Sequence, residues 1–407
     1  MRHHTEVAIL GAGPIGLEAA LAASDLRLSF TLYEAAPHAA DSVRRWGHVR
    51  LFTPWDLNVS PRMARHLAAA GRQVPQGDDL PTGRELVERV LEPVARLPEV
   101  AENLRLGCRV EAVGRQGLLK HEEIATEERG RRPFRLLVAG PDGEEVATAD
   151  VVLDCTGTYG HPNFLGDGGI PAPGETSAAA RIRRQLPDFA VEAEEWAGRS
   201  VLLVGAGHSA QTAARQLAAL ARRAPGTQVI WAVRSPEPSW YAVADDPLAE
   251  RAALVADASR IASWSEPAVE VRRGVVVEAL APSNGGVAAV LRGPDGTEEV
   301  VVDRVLALTG YVGDHQLYRQ LQVHECYATA APIQLSAALL GAAGADCLAQ
   351  ESHGVDVLRS PEPNFFILGS KSYGRLSQFL LRVGWEQVDE VLTAVAGDAT
   401  RRQPQPA

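Results

Sequence analysis

Two glycine clusters carry the clearest chemical signal in this chain of 407 residues. The first, Gly11-Ala-Gly13-Pro14-Ile15-Gly16, follows the apolar run 7–10 and opens an alanine- and leucine-rich stretch. The second, Gly205-Ala-Gly207-His208-Ser209-Ala210, follows the apolar run 200–204 and opens a helix-forming stretch that ends near Arg223. At a strand-to-helix turn the first glycine permits the tight bend, the second lets the backbone approach a pyrophosphate, and the third, or an alanine, lets the helix pack close to the sheet. The phosphates then rest on the unsatisfied N–H groups at the helix start.

After each helix comes a second strand, and its last residue distinguishes the two copies. Residues 28–33 end in Glu34, 23 positions after Gly11, where a carboxylate accepts hydrogen bonds from both ribose hydroxyls. Residues 228–233 end instead in Arg234, whose guanidinium pairs with a 2′-phosphate that an acid would repel. The spacing therefore predicts two dinucleotide sites, the second favouring NADPH over NADH. Two such cofactors do chemistry together as FAD with a nicotinamide, the fold supplying position and the flavin the electron transfer.

The elements that hold these turns repeat as well. Residues 134–139 and 145–153 read as a hairpin turned at Pro141-Asp142-Gly143, and residues 287–291 and 299–308 as another turned at Pro294-Asp295-Gly296. Each second arm runs into Thr-Gly, at Thr156-Gly157 and at Thr309-Gly310, which predicts that each strand-helix-strand unit gains a final parallel strand of the same kind. Residues 82–97 have helical apolar spacing, residues 104–113 read as a strand containing Val110, and residues 364–369 read as a short buried strand before a helix over 377–395. Glycine and proline punctuation over 157–174, then a polar stretch over 181–199, marks a domain boundary.

Taken together, Gly11 to Gly16, Glu34, Thr156-Gly157, Gly205 to Ala210, Thr309-Gly310 and the closing strand at Gly369 resemble the motifs of the two-dinucleotide-binding-domain flavoproteins, the pyridine nucleotide-disulfide oxidoreductase superfamily, over nearly the whole chain. The resemblance implies an α/β fold of two Rossmann-like, three-layer domains, with an NADPH domain (195–309) inserted into an FAD domain split into 1–170 and 310–395. A disordered tail is expected over 396–407. The cofactor-binding residues it implies are Gly11, Gly13, Pro14, Ile15, Gly16, Glu34, Arg45, Trp46, Val110, Thr156, Gly157, Gly205, Gly207, His208, Ser209, Ala210, Arg234, Gly310, Gly369 and Ser370.

Disulfide reductases of that superfamily carry a C-x-x-x-x-C or C-x-x-C pair, and the four cysteines here form neither. The stretch from Leu51 through Asn58 to Met63 looks like the Asn-x-Ser-x-x-Met segment of flavin-containing monooxygenases. That likeness implies reduction of FAD by NADPH, oxygen capture at flavin C4a, and oxygenation of a small amine or sulfur nucleophile, with Asn58 at the flavin and Arg44-Arg45-Trp46 covering it. Arg50 sits in an aromatic and cationic loop with Trp46, Phe52 and Trp55, and Tyr373 follows Gly369 with Lys371 and Arg375, so Asn58, Arg50 and Tyr373 are the candidate catalytic residues. Two features depart from the group: Phe164-Leu-Gly166 lacks the histidine of its F-x-G-x-x-x-H signature, and Ser370 stands where an aspartate often follows the closing glycine. The alternative is a reductase that passes electrons to a quinone, a small redox protein or a sulfur acceptor, with Cys347 as a candidate thiol.

Composition narrows the partners. A net charge of −11 disfavours nucleic acid and anionic membrane, and the one local basic group is Arg129, Arg131 and Arg132. Residues 328–349 contain Pro332, Gln334 and Asp346 and read as a buried helix sooner than a membrane span. Few cysteines and the absence of a signal-peptide pattern before Val7 suit a cytoplasmic protein. His324 and Cys326 lie close together but lack further ligands at metal spacing, so no metal is expected. The expected partners are a small-molecule substrate and molecular oxygen, with the oligomeric state open.

Overall fold

Val7, Ala8, Ile9 and Leu10 are all buried, so the strand they form must be covered on both faces, which is the condition of a central parallel strand. The computed structural model describes residues 5–263, 267–341, 348, 350–376 and 379–401, the last three by backbone alone. The chain forms two units, one from segments 1–161 and 312–407 and one from 162–311. Residues 162–170 and 310–311, expected with the flanking segments, thus belong to the inserted unit.

In the first unit β1 (Glu6–Leu10), β2 (Ser29–Glu34) and β3 (Leu104–Leu106) run parallel, with Ile9 level with Leu32 and Leu32 level with Leu104. A three-stranded antiparallel sheet follows: β4 (Arg109–Arg115), β5 (Phe134–Gly140) and β6 (Gly143–Ala149). The stretch expected as one hairpin arm over 145–153 is two strands in two sheets, because the chain breaks at Asp150. That residue exchanges its own N–H and its carboxylate with the backbone of Glu6, at 2.9 and 3.0 Å, and so delivers β7 (Val151–Asp154) alongside β1. The closing strand Phe365–Ile367 pairs with β7 on its far side.

Helix α1 (Pro14–Asp25) packs on this sheet, with Leu17, Ala20 and Leu21 in one core with Val388, Val391 and Leu392 of the C-terminal helix Leu381–Arg401. That helix reaches Arg401 and so includes residues 396–401, which were expected in the tail. Residues 82–97 coil as expected, opened by a capping box between Thr82 and Glu85, with a π turn over Val87–Leu91.

The inserted unit repeats the plan. Its strands are β8 (Ile182–Arg183), β9 (Ser200–Val204), β10 (Gln228–Val233), β11 (Val269–Arg273), an antiparallel trio β12 (Val276–Ser283), β13 (Gly286–Gly293) and β14 (Gly296–Val302), and β15 (Arg304–Ala307). The parallel sheet has the order β11-β10-β9-β15-β8, and α2 (His208–Arg223) and α3 (Ala249–Ser263) follow β9 and β10. Here Asp303 plays the part of Asp150: its carboxylate accepts from the Ser200 N–H at 2.8 Å and its own N–H returns to the Ser200 carbonyl at 2.9 Å, which starts β15 beside β9.

A buried ion triad joins the two segments of the first unit. Glu362 accepts from Arg115 Nε at 2.6 Å and from Arg129 Nε and Nη2 at 2.9 and 2.8 Å, and the Gln322 N–H adds a bond at 2.7 Å. All three charged side chains are fully buried. Removing the carboxylate would leave two guanidinium groups uncompensated, so Glu362→Ala should lose about 3–5 kcal/mol of stability in urea denaturation. An unchanged urea midpoint would show that the triad does not hold the segments together.

Candidate dinucleotide sites

At the carboxyl end of β1 the chain turns through Gly11, whose φ of +95° suits glycine and whose N–H bonds the Tyr33 carbonyl at 2.7 Å. The three glycines serve three ends. A Cβ on Gly11 would stand 2.9 Å from the Cys155 carbonyl, one on Gly16 would overlap the Gly11 carbonyl, and one on Gly13 would meet nothing within 4 Å. Gly13 is also the cap of α1, which has no side-chain cap and no acidic residue in its first turn. No residue of the helix itself therefore answers its positive end, which suits an anion. Glu34 is oriented beside it by the N–H groups of Ala12 and Ala36, at 2.8 and 2.9 Å. Burial pushes its carboxyl above the ordinary range, and those two bonds pull the other way.

The second turn is built alike. Gly205 has φ +127° and a Cβ there would overlap the Leu308 carbonyl, Gly207 opens onto space empty to 4 Å, and Ala210 is fully buried in the place of Gly16. Helix α2 again lacks a side-chain cap and a first-turn acid. His208 opens α2 and Ser209 is exposed beside it. Burial and the nearby Arg251 hold the His208 imidazole below its usual value against Asp246, so it adds no cation of its own near neutral pH. Arg234 is exposed just past the end of β10. Gly310, at φ +85°, ends the stretch after β15, where Thr309 and Asn163 exchange hydrogen bonds at 2.9 and 3.1 Å.

The remaining first-unit candidates converge on the same sheet edge. Gly369, at φ +74°, passes so close to Ile15 that a Cβ would stand 3.0 Å from it, and Ser370 Oγ lies 3.8 Å from where a Gly157 Cβ would be. Thr156 is exposed, its N–H and hydroxyl held by Asp154 at 3.1 and 2.6 Å. Beneath it Lys371 Nζ pairs with Asp154 at 2.6 Å and reaches Thr156 Oγ1 at 3.2 Å. Both charges are buried, and the lysine stem occupies the space a side chain on Gly313 would need. The sequence reading passed over Asp154. Its signal was a carboxylate ending an otherwise apolar strand, and Lys371 is one of only two lysines in the chain.

Three candidates fall differently from expectation. Asn58 is 3% exposed, and its amide is engaged within its own loop by the Thr53 and Pro54 carbonyls at 2.8 and 2.7 Å and by the Thr53 hydroxyl. Tyr373 is 1% exposed, packed edge-on against Phe379, and burial pushes its hydroxyl up to about 12. Residue type was legible, but which face of the loop each side chain takes was not. Arg50 is exposed but its guanidinium is tied to the Leu80 carbonyl at 2.6 Å.

Arg45 is exposed and paired with Asp41 at 2.7 Å, and Trp46 lies against Gly83 and 6.1 Å from the Tyr159 ring. Val110 is part-buried on β4, opposite Val138. Cys347 lies outside the described residues. A thiol considered from sequence only as a metal ligand stands out instead: the hydroxyls of Ser336 and Thr329, themselves 2.7 Å apart, and the N–H groups of Thr329 and Ala328 surround Cys326 and favour its thiolate, which brings it down to about 6. Among the described residues no cluster offers three or more metal ligands, and no helix is long and apolar enough to cross a membrane.

The contrast between glycines is testable by thermal unfolding. Gly16→Ala forces helix from strand and should cost about 3 kcal/mol, whereas Gly13→Ala, in an ordinary extended conformation with open space, should stay within about 0.5 kcal/mol. Equal losses at both positions would contradict the assigned division of labour.

No protein-family model and no curated protein matches the sequence. Among solved structures the chain is similar to bacillithiol disulfide reductase from Bacillus cereus, with TM-score 0.70 and 17% identity over 97% of this chain and 100% of that one. It is also similar to ornithine N-hydroxylase from Kutzneria sp. 744, with TM-score 0.64 and 15% identity over 98% and 100%. A flavin monooxygenase from Stenotrophomonas maltophilia aligns with TM-score 0.58 and 20% identity over 97% and 99%. With its two parallel-sheet units, one inserted in the other, the chain has the fold of the two-dinucleotide-binding-domain flavoproteins.

Proposed function

We propose that the protein is an FAD-dependent, NADPH-using oxidoreductase that oxygenates a small amine or sulfur nucleophile. The observation that carries the cofactor assignment is the pair of uncapped glycine turns, alike in construction and different at the neighbouring strand end, Glu34 against Arg234. The first suits the diphosphate and ribose of FAD, and the second suits the diphosphate and 2′-phosphate of NADPH. FAD supplies two-electron chemistry between nicotinamide and acceptor. The residues that would hold it are Gly13, whose open space would admit its phosphates, Glu34, which would accept from its ribose, and Thr156, Gly157 and Ser370 at the neighbouring strand ends.

Oxygen as acceptor is supported by the ornithine N-hydroxylase and flavin monooxygenase among the similar folds and by the lack of a cysteine pair among the described residues. Asn58 contributes by fixing the loop that carries Arg50 and Phe52, not by contact with the reacting atoms. Cys326 favours a second reading, reduction of a sulfur acceptor, because a thiol of lowered pKa is largely thiolate, the attacking form, near neutral pH, and its loop is tied to the chain after the closing strand by the bond from Arg375 N–H to the Thr329 carbonyl at 2.7 Å.

Anaerobic titration tests the cofactor assignment: NADPH should bleach the flavin well below the NADH concentration required, and Arg234→Ala should raise the NADPH requirement about tenfold while leaving NADH unchanged. Equal response to both nucleotides in the wild type would remove Arg234 from the site. Oxygen electrode traces separate the acceptors. The oxygenase reading expects oxygen uptake matched by oxygenated product from an amine or thioether panel, and uncoupled hydrogen peroxide alone would contradict it. The thiol reading expects iodoacetamide labelling of Cys326 to rise with pH about a midpoint near 6 and a Cys326→Ser variant to lose disulfide-dependent NADPH oxidation. Labelling only above pH 8 would remove it.

A further inference from the structure

The segment between β10 and α3, residues 235–248, holds three non-glycine residues in the left-handed region within six positions: Trp240 at φ +53°, Tyr241 at +58° and Asp245 at +50°. Each such conformation is disfavoured by sterics and persists where the surroundings over-determine it. Here they do. Gln211, fully buried on α2, donates from its amide nitrogen to the carbonyls of Ala206 and Trp240 at 3.0 and 2.9 Å. Only an amide NH2 can face two carbonyls, so its orientation is fixed by chemistry. The Trp240 ring lies 4.9 Å from that of Trp231, whose indole N–H holds the Gly205 carbonyl at 2.8 Å. At the far end Arg251 pairs with Asp246 at 2.6 Å, both nearly buried, and the Leu248 N–H adds a bond to Asp246 at 2.9 Å.

The glycine turn and this strap are thus fastened to each other at Gly205 and Ala206. What the arrangement delivers is Tyr241, a ring left 53% exposed, 5.9 Å from the ring of His208 at the first residue of α2. The sheet and helices of the unit need no exposed aromatic there. Beside an uncapped helix start, a flat apolar face can cover the dinucleotide lying on that turn.

We infer that Tyr241 is a binding residue of the second dinucleotide site, a platform that the strained strap presents to the bound nucleotide, in addition to Arg234. The inference rests on the NADPH reading of that turn. A platform of this kind contacts rings and riboses and does not read the 2′-phosphate, so it strengthens NADP+ and NAD+ alike, whereas Arg234 separates them.

Isothermal titration of the full-length, flavin-loaded protein with NADP+ and with NAD+ tests this. Tyr241→Ala should weaken both about tenfold, leaving their ratio and the unfolding temperature as in the wild type, and Tyr241→Phe should stay within about twofold. Arg234→Ala should weaken NADP+ alone. If Tyr241→Ala binds both nucleotides as the wild type does, the platform is wrong while the NADPH reading stands. If the wild type binds neither, the reading beneath it falls and the platform with it.

Discussion

A helix that begins with no side-chain cap, no acid in its first turn and a glycine with open space at its cap presents the N–H groups of that turn as a site for an anion. Everything else in each unit serves to place that turn. The parallel sheet must be apolar through and through so that a helix can lie against it, and the helix can approach only because Gly16 or Ala210 is small. The strand-end residue beside the turn is what differs between the two units: Glu34 is held by two backbone N–H groups, and Arg234 stands exposed.

The same economy governs how strands enter the sheets. In each unit an antiparallel trio feeds a parallel strand through an aspartate that bonds the first residue of the central strand or its equivalent, Asp150 to Glu6 and Asp303 to Ser200. In the first unit, where the chain departs at His161 and returns at Val312, the Arg115–Glu362–Arg129 triad ties what sequence separates. The Asp154–Lys371 pair does similar work under the sheet edge, linking β7 to the turn after the closing strand.

Much of this was legible beforehand, for physical reasons. Glycine turns with steric demands on three positions, an acid or a guanidinium at a strand end, and Thr-Gly echoes are written in residue type and spacing alone. What escaped depends on direction in three dimensions. Asn58 and Tyr373 have suitable chemistry, but both side chains are buried, that of Asn58 held by hydrogen bonds within its own loop. The hairpin arms looked continuous because period-two alternation does not register a change of sheet, and Asp150 and Asp303 looked like ordinary polar breaks. Cys326 was visible only as a neighbour of His324, and its acidity was not, since the hydroxyls and N–H groups that favour its thiolate come from Ala328, Thr329 and Ser336, brought together by the loop and the helix start that follow it.

The central claim is that each glycine turn holds its own dinucleotide. Native mass spectrometry of the purified full-length protein, with and without added NADP+, tests it most directly. The account predicts one retained FAD per chain and one further NADP+ on addition, with the FAD lost from a Gly13→Val variant and the NADP+ lost from a Gly207→Val variant. A chain that carries no flavin, or takes up only one dinucleotide whichever glycine is changed, would contradict it.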